Sequence, residues 1–325
     1  MAQSSVLFAA AKIKMKQSKA ISSNDIARLI EADGFDSAKQ VLVDIGFMPT
    51  TQDDYEIFAD KYVSSACSYL EKYSPFPTLS NVLLFPYDAH NLKVLFKARL
   101  LGVEPNYLYN CGTVPLQKLK HAILNHHYGI LPHAFKVCML ELEKLSVTGI
   151  APYIIDAMID RACYALLMEQ AQAFGNSNVI EYVEKKMVFT NIMMALRLQQ
   201  MHKPQDMLVD LLLDSKRISK QRIISHYAAL HQLQSQLHLV DKDFAEAFAK
   251  YNHGQYSLAN VEKEADNSLL KIFKKVKFQS LHIDALMLYA LTTQRQAAAL
   301  RLVMAAKQSG ASVEDIKERM RNIHA

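Results

Sequence analysis

One helix-like stretch occurs three times in this chain, and this repeat constrains the possible folds more than any other feature of the sequence. The first copy spans residues 88–102 and carries Asn91 near its start. The second surrounds Asn191, 100 positions later, and the third surrounds Ala299, a further 108 positions along. Self-similarity at a regular spacing is typical of proteins built from copies of one structural unit. The sequence therefore predicts three related units.

A segment upstream of each copy tests the repeat independently. An aspartate lies 31 to 33 positions before each copy, with a second carboxylate four residues earlier; these aspartates are Asp60, Asp160 and Asp266. Around the first two, the apolar residues follow identical steps of three and one, which is the spacing of one face of an amphipathic helix. Glu264 and Ser268 interrupt that face in the third copy. We therefore expect the third unit to be the most diverged.

The predicted fold class is all-α, with three homologous helical units. Only nine glycines and nine prolines occur among 325 residues, and half of the residues are apolar, so helix breakers are scarce and a substantial core can form. Each unit is predicted to contain two short helices followed by two long ones. We expect the helix that carries Asn91 to begin near Asp88. The predicted boundaries are an N-terminal helix over 1–19, unit 1 over 20–110, unit 2 over 111–213, and unit 3 with a C-terminal helix over 214–325.

Charge and hydropathy limit the classes of partner. The formal net charge of +5 is too small to indicate a nucleic-acid-binding protein, although it suits an acidic partner or a membrane-adjacent position. No apolar run is long enough to span a bilayer, and the first apolar stretch lacks the features of a secretory signal. The four cysteines are scattered, which predicts buried thiols and an intracellular protein.

The residue patterns predict no catalytic, cofactor or metal site. No two histidines lie three or four positions apart, so no helix face presents a pair of imidazole ligands. The glycines never lie closer than ten positions, which excludes a phosphate-cradling loop. The recurring carboxylate pairs could serve as acid and base groups, but the same motif in three repeat copies favours a structural role.

That structural role is predicted for one set of repeat positions. We expect Asp60, Asp160 and Asp266 each to anchor the two long helices of their own unit. The expected partners are the facing asparagines and nearby cations; these are Asn91, Asn191, Lys97, Arg197 and Arg301.

A local run of lysines is the candidate contact with a partner or a membrane surface. It comprises Lys271, Lys274, Lys275 and Lys277. Such a run is usually a solvated helix face. The functional alternative is a contact with acidic protein loops or with anionic lipid.

The order and spacing of several motifs resemble one protein family. They are residues 87–93 (Tyr-Asp-Ala-His-Asn-Leu-Lys), 112–115 (Gly-Thr-Val-Pro), 160–164 (Asp-Arg-Ala-Cys-Tyr), Asn191 with Arg197, Glu262 with Asp266, and the ending from Leu300 to Arg319. Over nearly the whole chain these features resemble the C subunit of the V/A-type rotary ATPases, whose eukaryotic counterpart is the d subunit of the vacuolar enzyme. The stretch 293–296 and Ala299 depart from the family pattern, which has an asparagine at position 299. Either the third unit has lost a polar contact, or the chain belongs to a divergent subtype of the family.

The resemblance implies a non-catalytic rotor part without a cofactor. In that family, three helical units around a pseudo-threefold axis form a funnel. Its socket holds the shaft made of the D and F subunits, and its other face sits on the ring of membrane-embedded proteolipids. Such a part passes torque from ATP hydrolysis to the ring, which moves protons or sodium ions. It lies at the cytoplasmic face of the membrane and touches the membrane only through the ring.

Two other classes of function remain open at this point. A helical-repeat scaffold for some unrelated partner would share this composition, but its units would form a curved row instead of a closed set of three. An all-helical enzyme is the third possibility, and the lack of a recognisable site disfavours it.

Overall fold

The structure is a computed structural model, and it describes residues 8, 9, 11–13, 21–274 and 283–321. These residues form helices and connecting loops, with no β-strand among them, so the all-α prediction is confirmed. Lys275, Lys277 and most of the predicted N-terminal helix over 1–19 lie outside the described residues.

Fifteen α-helices are assigned within the described ranges 21–274 and 283–321, together with three short 3-10 segments at 77–80, 128–130 and 227–233. The helices are α1 (Ser23–Glu31), α2 (Gly34–Asp44), α3 (Tyr55–Tyr73), α4 (Asn81–Leu101), α5 (Leu116–Leu124), α6 (His133–Ser146), α7 (Pro152–Phe174), α8 (Ser177–Gln200), α9 (Met207–Leu211), α10 (Lys220–Ser225), α11 (Gln234–Val240), α12 (Lys242–Asn252), α13 (Leu258–Lys274), α14 (Ile283–Gln308) and α15 (Val313–Arg319).

The chain divides into two compact units. The terminal unit combines both chain ends, Met1–Ser80 and Asp266–Ala325, and the central unit is the continuous stretch Asn81–Ala265. The three units predicted from the repeat, with the boundaries given above, stay a prediction.

In the terminal unit, the long helix α14 packs along α3 and also contacts α1 and α2. Leu300, Val303 and Met304 of α14 are buried in one cluster with Leu29 and Leu42 of the two short helices. Burying each such side chain contributes about 1.5–3 kcal/mol to the free energy of unfolding. The apolar core thus ties a C-terminal helix to the first helices of the chain.

In the central unit, α7 has neighbours on several sides. It packs along α4 and α6, and it contacts α8, to which it is joined by a tight turn. Gly175 adopts a left-handed φ of 64° at that turn, and the Asn176 side chain accepts hydrogen bonds from the first amides of α8. The glycine removes the steric cost of a left-handed residue, and the asparagine caps the new helix.

The second long helix of each repeat copy ends in the same backbone geometry. The first or second residue after α4, α8 and α14 has a left-handed φ of 65°, 52° or 72°; these residues are Gly102, His202 and Gly310. The next amide then donates to the carbonyl five residues back, and the donor–acceptor pairs are Val103 to Ala98, Lys203 to Leu198 and Ala311 to Ala306. This is the Schellman pattern of hydrogen bonds. It recurs at the spacings of 100 and 108 residues that the sequence repeat predicts.

The predicted start of the Asn91 helix was wrong. Asp88 is not its first residue, because α4 begins at Asn81 and includes Pro86. Proline cannot donate the hydrogen bond that a helix interior requires, which normally breaks the helix. Here, the residues directly before and after the proline in the helix are buried, and their packing offsets the lost bond.

Candidate functional site

The two repeat asparagines make the same pair of hydrogen bonds, and both are buried. The Asn91 side chain donates to the carbonyl of Tyr109 and accepts from its amide, each at 2.9 Å. The Asn191 side chain makes the same two bonds with Leu213, at 2.9 and 2.8 Å. Each asparagine therefore fixes the loop that follows its own helix by satisfying a donor and an acceptor of one backbone residue.

A second hydrogen-bonded contact between α4 and a loop lies one helical turn before Asn91. We call each such contact a latch. The buried Asp88 carboxylate accepts from the Thr113 amide at 2.9 Å, from the Thr113 hydroxyl at 2.5 Å and from the Val114 amide at 3.4 Å. A Cβ atom on Gly112 would overlap the Oδ1 atom of Asp88, so the loop can approach this closely only with glycine at position 112. Burial raises the pKa of Asp88 to about 6, although the hydrogen bonds oppose that rise.

The third copy replaces this latch with an amide. Gln296 occupies the repeat position of Asp88, and its buried side chain donates to the Ile21 carbonyl at 2.9 Å and accepts from the Tyr62 hydroxyl at 2.7 Å. Ala299, at the asparagine position, lies in the apolar cluster instead. Position 299 is thus apolar, and the polar contact of this copy lies one turn earlier, where the Gln296 amide binds the carbonyl of Ile21.

The first set of ion pairs joins α4 to α7. Lys93 contacts Asp160 at 2.5 Å, and Lys97 contacts Asp156 at 2.8 Å. Burial raises the pKa of Asp160, although Lys93 opposes the change by favouring the charged carboxylate. Both lysines come from the second long helix of copy 1, and both carboxylates come from the first long helix of copy 2.

The terminal unit contains the equivalent contact between copy 3 and copy 1. Arg301 of α14 contacts Glu56 at 2.6 Å and Asp60 at 2.5 Å, and both carboxylates lie on α3. The Asp60 side chain is only 5% exposed. A cation from copy 3 therefore meets the carboxylate pair of copy 1.

The pair between copies 2 and 3 is weaker. Arg197 contacts Glu262 at 3.2 Å, and both side chains are more than 40% exposed. Asp266 forms its ion pair with Arg321 near the C-terminus. The position that supplies Lys93 in copy 1 is Met193 in copy 2, so copy 2 carries no cation at that repeat position.

A further repeat position donates to a carbonyl near the end of a short helix in every copy. Arg99 donates to the carbonyl of Ile123 at 2.5 Å, and Lys307 donates to that of Ala32 at 2.7 Å. Gln199, at the equivalent position, donates to the carbonyl of Tyr227. Again each donor belongs to one copy, its acceptor belongs to the next, and copy 3 is followed by copy 1.

These contacts place the ion-pair partners of Asp60, Asp160 and Asp266 elsewhere than expected. Asp60 and Asp160 bind the second long helix of the preceding copy, and Asp266 binds Arg321. The physical reason is that helical spacing shows which residues share a face, but not which helix lies against that face. The expected anchoring of the two long helices within each unit stays a prediction.

The latches at Asp88 and at positions 99, 199 and 307 were missed from the sequence. The signal available for Asp88 was its place on the repeated helix followed by the glycine of residues 112–115. The residues at position 99 and its equivalents are arginine, glutamine and lysine, which share only a long side chain that can donate a hydrogen bond.

The thiols and the lysine run complete the predicted sites. All four cysteines are buried, as predicted. Burial raises the pKa of Cys67, Cys138 and Cys163 to about 12, which makes these thiols unreactive near neutral pH.

Lys271 is exposed and Lys274 is half-buried, at the end of α13. Their role in contacting a partner or membrane surface stays a prediction.

Two features of the described residues bear on ligands and membranes. No group of three or more histidine, cysteine, aspartate or glutamate side chains within the described ranges has a metal-binding arrangement. Among the helices described, none has the length and apolar character needed to cross a membrane.

Comparisons with known proteins agree with the resemblance. The family model described as ATP synthase (C/AC39) subunit matches residues 9–319. The chain is also similar to the C subunit of the V-type sodium ATPase of Enterococcus hirae, with 24% identity over 318 residues. That alignment covers 96% of this chain and 97% of the relative.

Proposed function

This chain belongs to the ATP synthase (C/AC39) subunit family, and from that premise we propose that it is a non-catalytic central-stalk component of a V/A-type ATPase. In this role it is the socket that couples the shaft of the D and F subunits to the proteolipid ring. It passes torque between ATP hydrolysis or synthesis in the catalytic head and the movement of protons or sodium ions through the ring. The chain acts peripherally at the cytoplasmic face of the membrane and reaches the membrane only through the ring.

The observation that carries the proposed socket is the cyclic order of the contacts between copies. Cations of copy 1 pair with carboxylates of copy 2, a cation of copy 2 pairs with copy 3, and Arg301 of copy 3 pairs with copy 1. In an open row of units, the last copy would have no reason to carry a cation matched to the first. The cyclic order supports a closed set of three copies around an axis, which is the arrangement a socket needs. Family membership also removes the alternative of a scaffold unrelated to the rotary ATPases.

Retention on the assembled complex tests the proposed function. The tagged chain is produced together with the shaft subunits and the ring, and the detergent-extracted complex is purified through the tag. We expect the shaft and the ring to co-purify in fixed proportion, and ATP-driven ion transport to be lost when this chain is omitted. Isolation of the chain without either partner, or undiminished transport in its absence, would overturn the proposal.

The lysines at the end of α13 are proposed to strengthen attachment to the ring. Each lysine close to an anionic surface can add on the order of 1 kcal/mol to binding. Charge reversal at Lys271 and Lys274 is therefore expected to lower retention on the purified ring at low salt. Reversal of the exposed Lys118, which lies on α5, is the control. Equal retention of both variants would remove this role.

A further inference from the structure

An open groove with apolar walls runs between α6 and α7 in the central unit. It encloses about 600 Å³. Val137 and Leu145 of α6 form one wall, Met158 of α7 forms the other, and Cys138 and Ala162 lie at its base. Val137 is 49% exposed and Leu145 is 39% exposed, so these apolar side chains face solvent along the groove. Exposed apolar side chains lining a concave surface are typical of a protein interaction site.

The repeat provides an internal comparison for this groove. A cavity of about 300 Å³ lies at the equivalent place beside α3, lined in part by Phe58, Lys61 and Tyr62. Those three residues correspond, 100 positions later, to Met158, Arg161 and Ala162. The two cavities therefore share one large apolar residue and one cation at identical repeat positions, but they differ at the third position.

The difference at that third position explains the larger groove. In the terminal unit the Tyr62 ring packs against Phe47, with 5.8 Å between ring centroids, and its hydroxyl binds Gln296. The alanine at position 162 removes the bulk of that ring from the groove beside α7. The central unit therefore has room for a large apolar side chain where the terminal unit supplies one of its own.

The charges along the groove define the polarity of its occupant. Glu141, one turn from both Val137 and Leu145 on α6, is exposed at the middle of the groove, and Asp210 is exposed at its edge. Arg161 donates to the backbone carbonyl of Asp210 at 2.5 Å, which directs its guanidinium toward that edge. Two carboxylates and one arginine leave the groove with an excess of negative charge, which complements a basic side chain.

We propose that this groove binds an amphipathic helix of a partner chain, which places a large apolar side chain over Ala162 and a lysine or arginine opposite Glu141. The lining of α6 extends from His133 to Leu145. Twelve helical steps of 1.5 Å make the groove about 18 Å long, which accommodates about three turns of a partner helix. A helix whose apolar face lies in a groove between two helices is a recurring mode of recognition. This inference concerns one surface of the central unit and does not depend on the proposed socket.

Photo-cross-linking in living cells tests the groove. The full-length tagged chain carries p-benzoylphenylalanine in place of Val137, and cross-linked peptides are identified by mass spectrometry after purification. Leu140 is the matched control, because it lies on the same helix with 45% exposure but does not line the groove. We expect one partner segment, helical and carrying both apolar and basic residues, to be captured from position 137 and not from position 140.

Two variants that alter the groove sharpen this test. Ala162→Phe fills the space above the base, and Glu141→Lys reverses the central charge. Each is expected to lower the yield of the position-137 product at least fivefold, provided that thermal melting shows an intact fold; Ala162→Val is the milder replacement if the phenylalanine does not fold. Capture of lipid, of an acidic segment or of nothing, and equal capture from both positions, would each overturn the proposal. Loss of the shaft and the ring from the same purification would instead count against the proposed function, so the two failures are distinguishable.

Discussion

The contact between Arg301 and α3 provides the most direct test of the link between the two chain ends. The Arg301 guanidinium lies 2.6 Å from a Glu56 oxygen and 2.5 Å from an Asp60 oxygen. Asp60 is 5% exposed and Glu56 is 46% exposed, so water can replace the arginine at Glu56 but not at Asp60. Arg301→Ala therefore leaves the buried carboxylate without the cation that the structure places against it.

The magnitude follows from the burial of Asp60. Removing one partner of a buried ion pair costs about 3–5 kcal/mol, because the remaining charge stays desolvated. The lower end, about 3 kcal/mol, applies here because Glu56 is exposed and contributes little. A chain of 325 residues has an unfolding entropy of roughly 0.7 kcal/mol per kelvin, so the expected fall in Tm is about 4 °C.

Lys97→Ala is the matched control for this measurement. It breaks the pair with Asp156, in which both side chains are about one-third exposed, and such pairs contribute about 0–1 kcal/mol. Differential scanning calorimetry should therefore separate the two variants by about 3 °C. The double variant Arg301→Met with Asp60→Leu should regain most of the loss, because no buried charge remains. An equal Tm for the two single variants would refute the assignment of Arg301 as a buried link.

Four further predictions can be checked by urea unfolding. His202→Gly should raise the free energy of unfolding by about 0.5–1 kcal/mol, because it relieves a left-handed residue; Met201→Gly, at a neighbouring residue with φ of −86°, should lower it instead. Gly112→Ala should cost about 1–3 kcal/mol by forcing the loop away from Asp88; an unchanged stability would contradict the close approach. Asn191→Ala should cost about 2–4 kcal/mol by leaving a buried amide and carbonyl without their partner, whereas wild-type stability would deny the latch. The raised pKa of Asp88, about 6, means that the native state binds the carboxyl proton more tightly than the unfolded chain does. The free energy of unfolding should therefore fall by about 2 kcal/mol between pH 4 and pH 6, relative to the Asp88→Asn variant. Equal pH dependence of the two proteins would exclude a raised pKa at Asp88.

The long-helix repeat was predictable because helical spacing and repeat spacing are both properties of the sequence. The shared periodicity around Asp60 and Asp160 indicated one helix face in two copies, and the structure places α3 and α7 there. The cysteines were predicted to be buried because they are scattered along the chain and not arranged as a disulfide framework. The start of α4 was missed because Pro86 is a strong local signal against a helix, and only the burial of its neighbours outweighs that signal.

The partners of the repeat carboxylates could not be predicted, because sequence proximity suggested the wrong helix. Lys97 and Arg197 were expected to pair with carboxylates of the same copy, about 35 residues upstream. They pair instead with Asp156 and Glu262, which lie 59 and 65 residues downstream. One helix periodicity is compatible with both pairings, since the charged side chains occupy the same face in either case. Only the packing of the long helices distinguishes the two.

This offset pairing has a mechanical consequence for the proposed role in transmitting torque. A tight turn at Gly175 joins the two long helices of copy 2, α7 and α8. Side-chain contacts join the second helix of one copy to the first helix of the next, as Lys93 joins α4 to α7. A twist applied to α7 is therefore resisted along two separate routes, one covalent and one through ion pairs whose side chains are 21–39% exposed. Had each carboxylate paired within its own copy, both routes would join the same two helices, and neighbouring copies would be linked by fewer contacts.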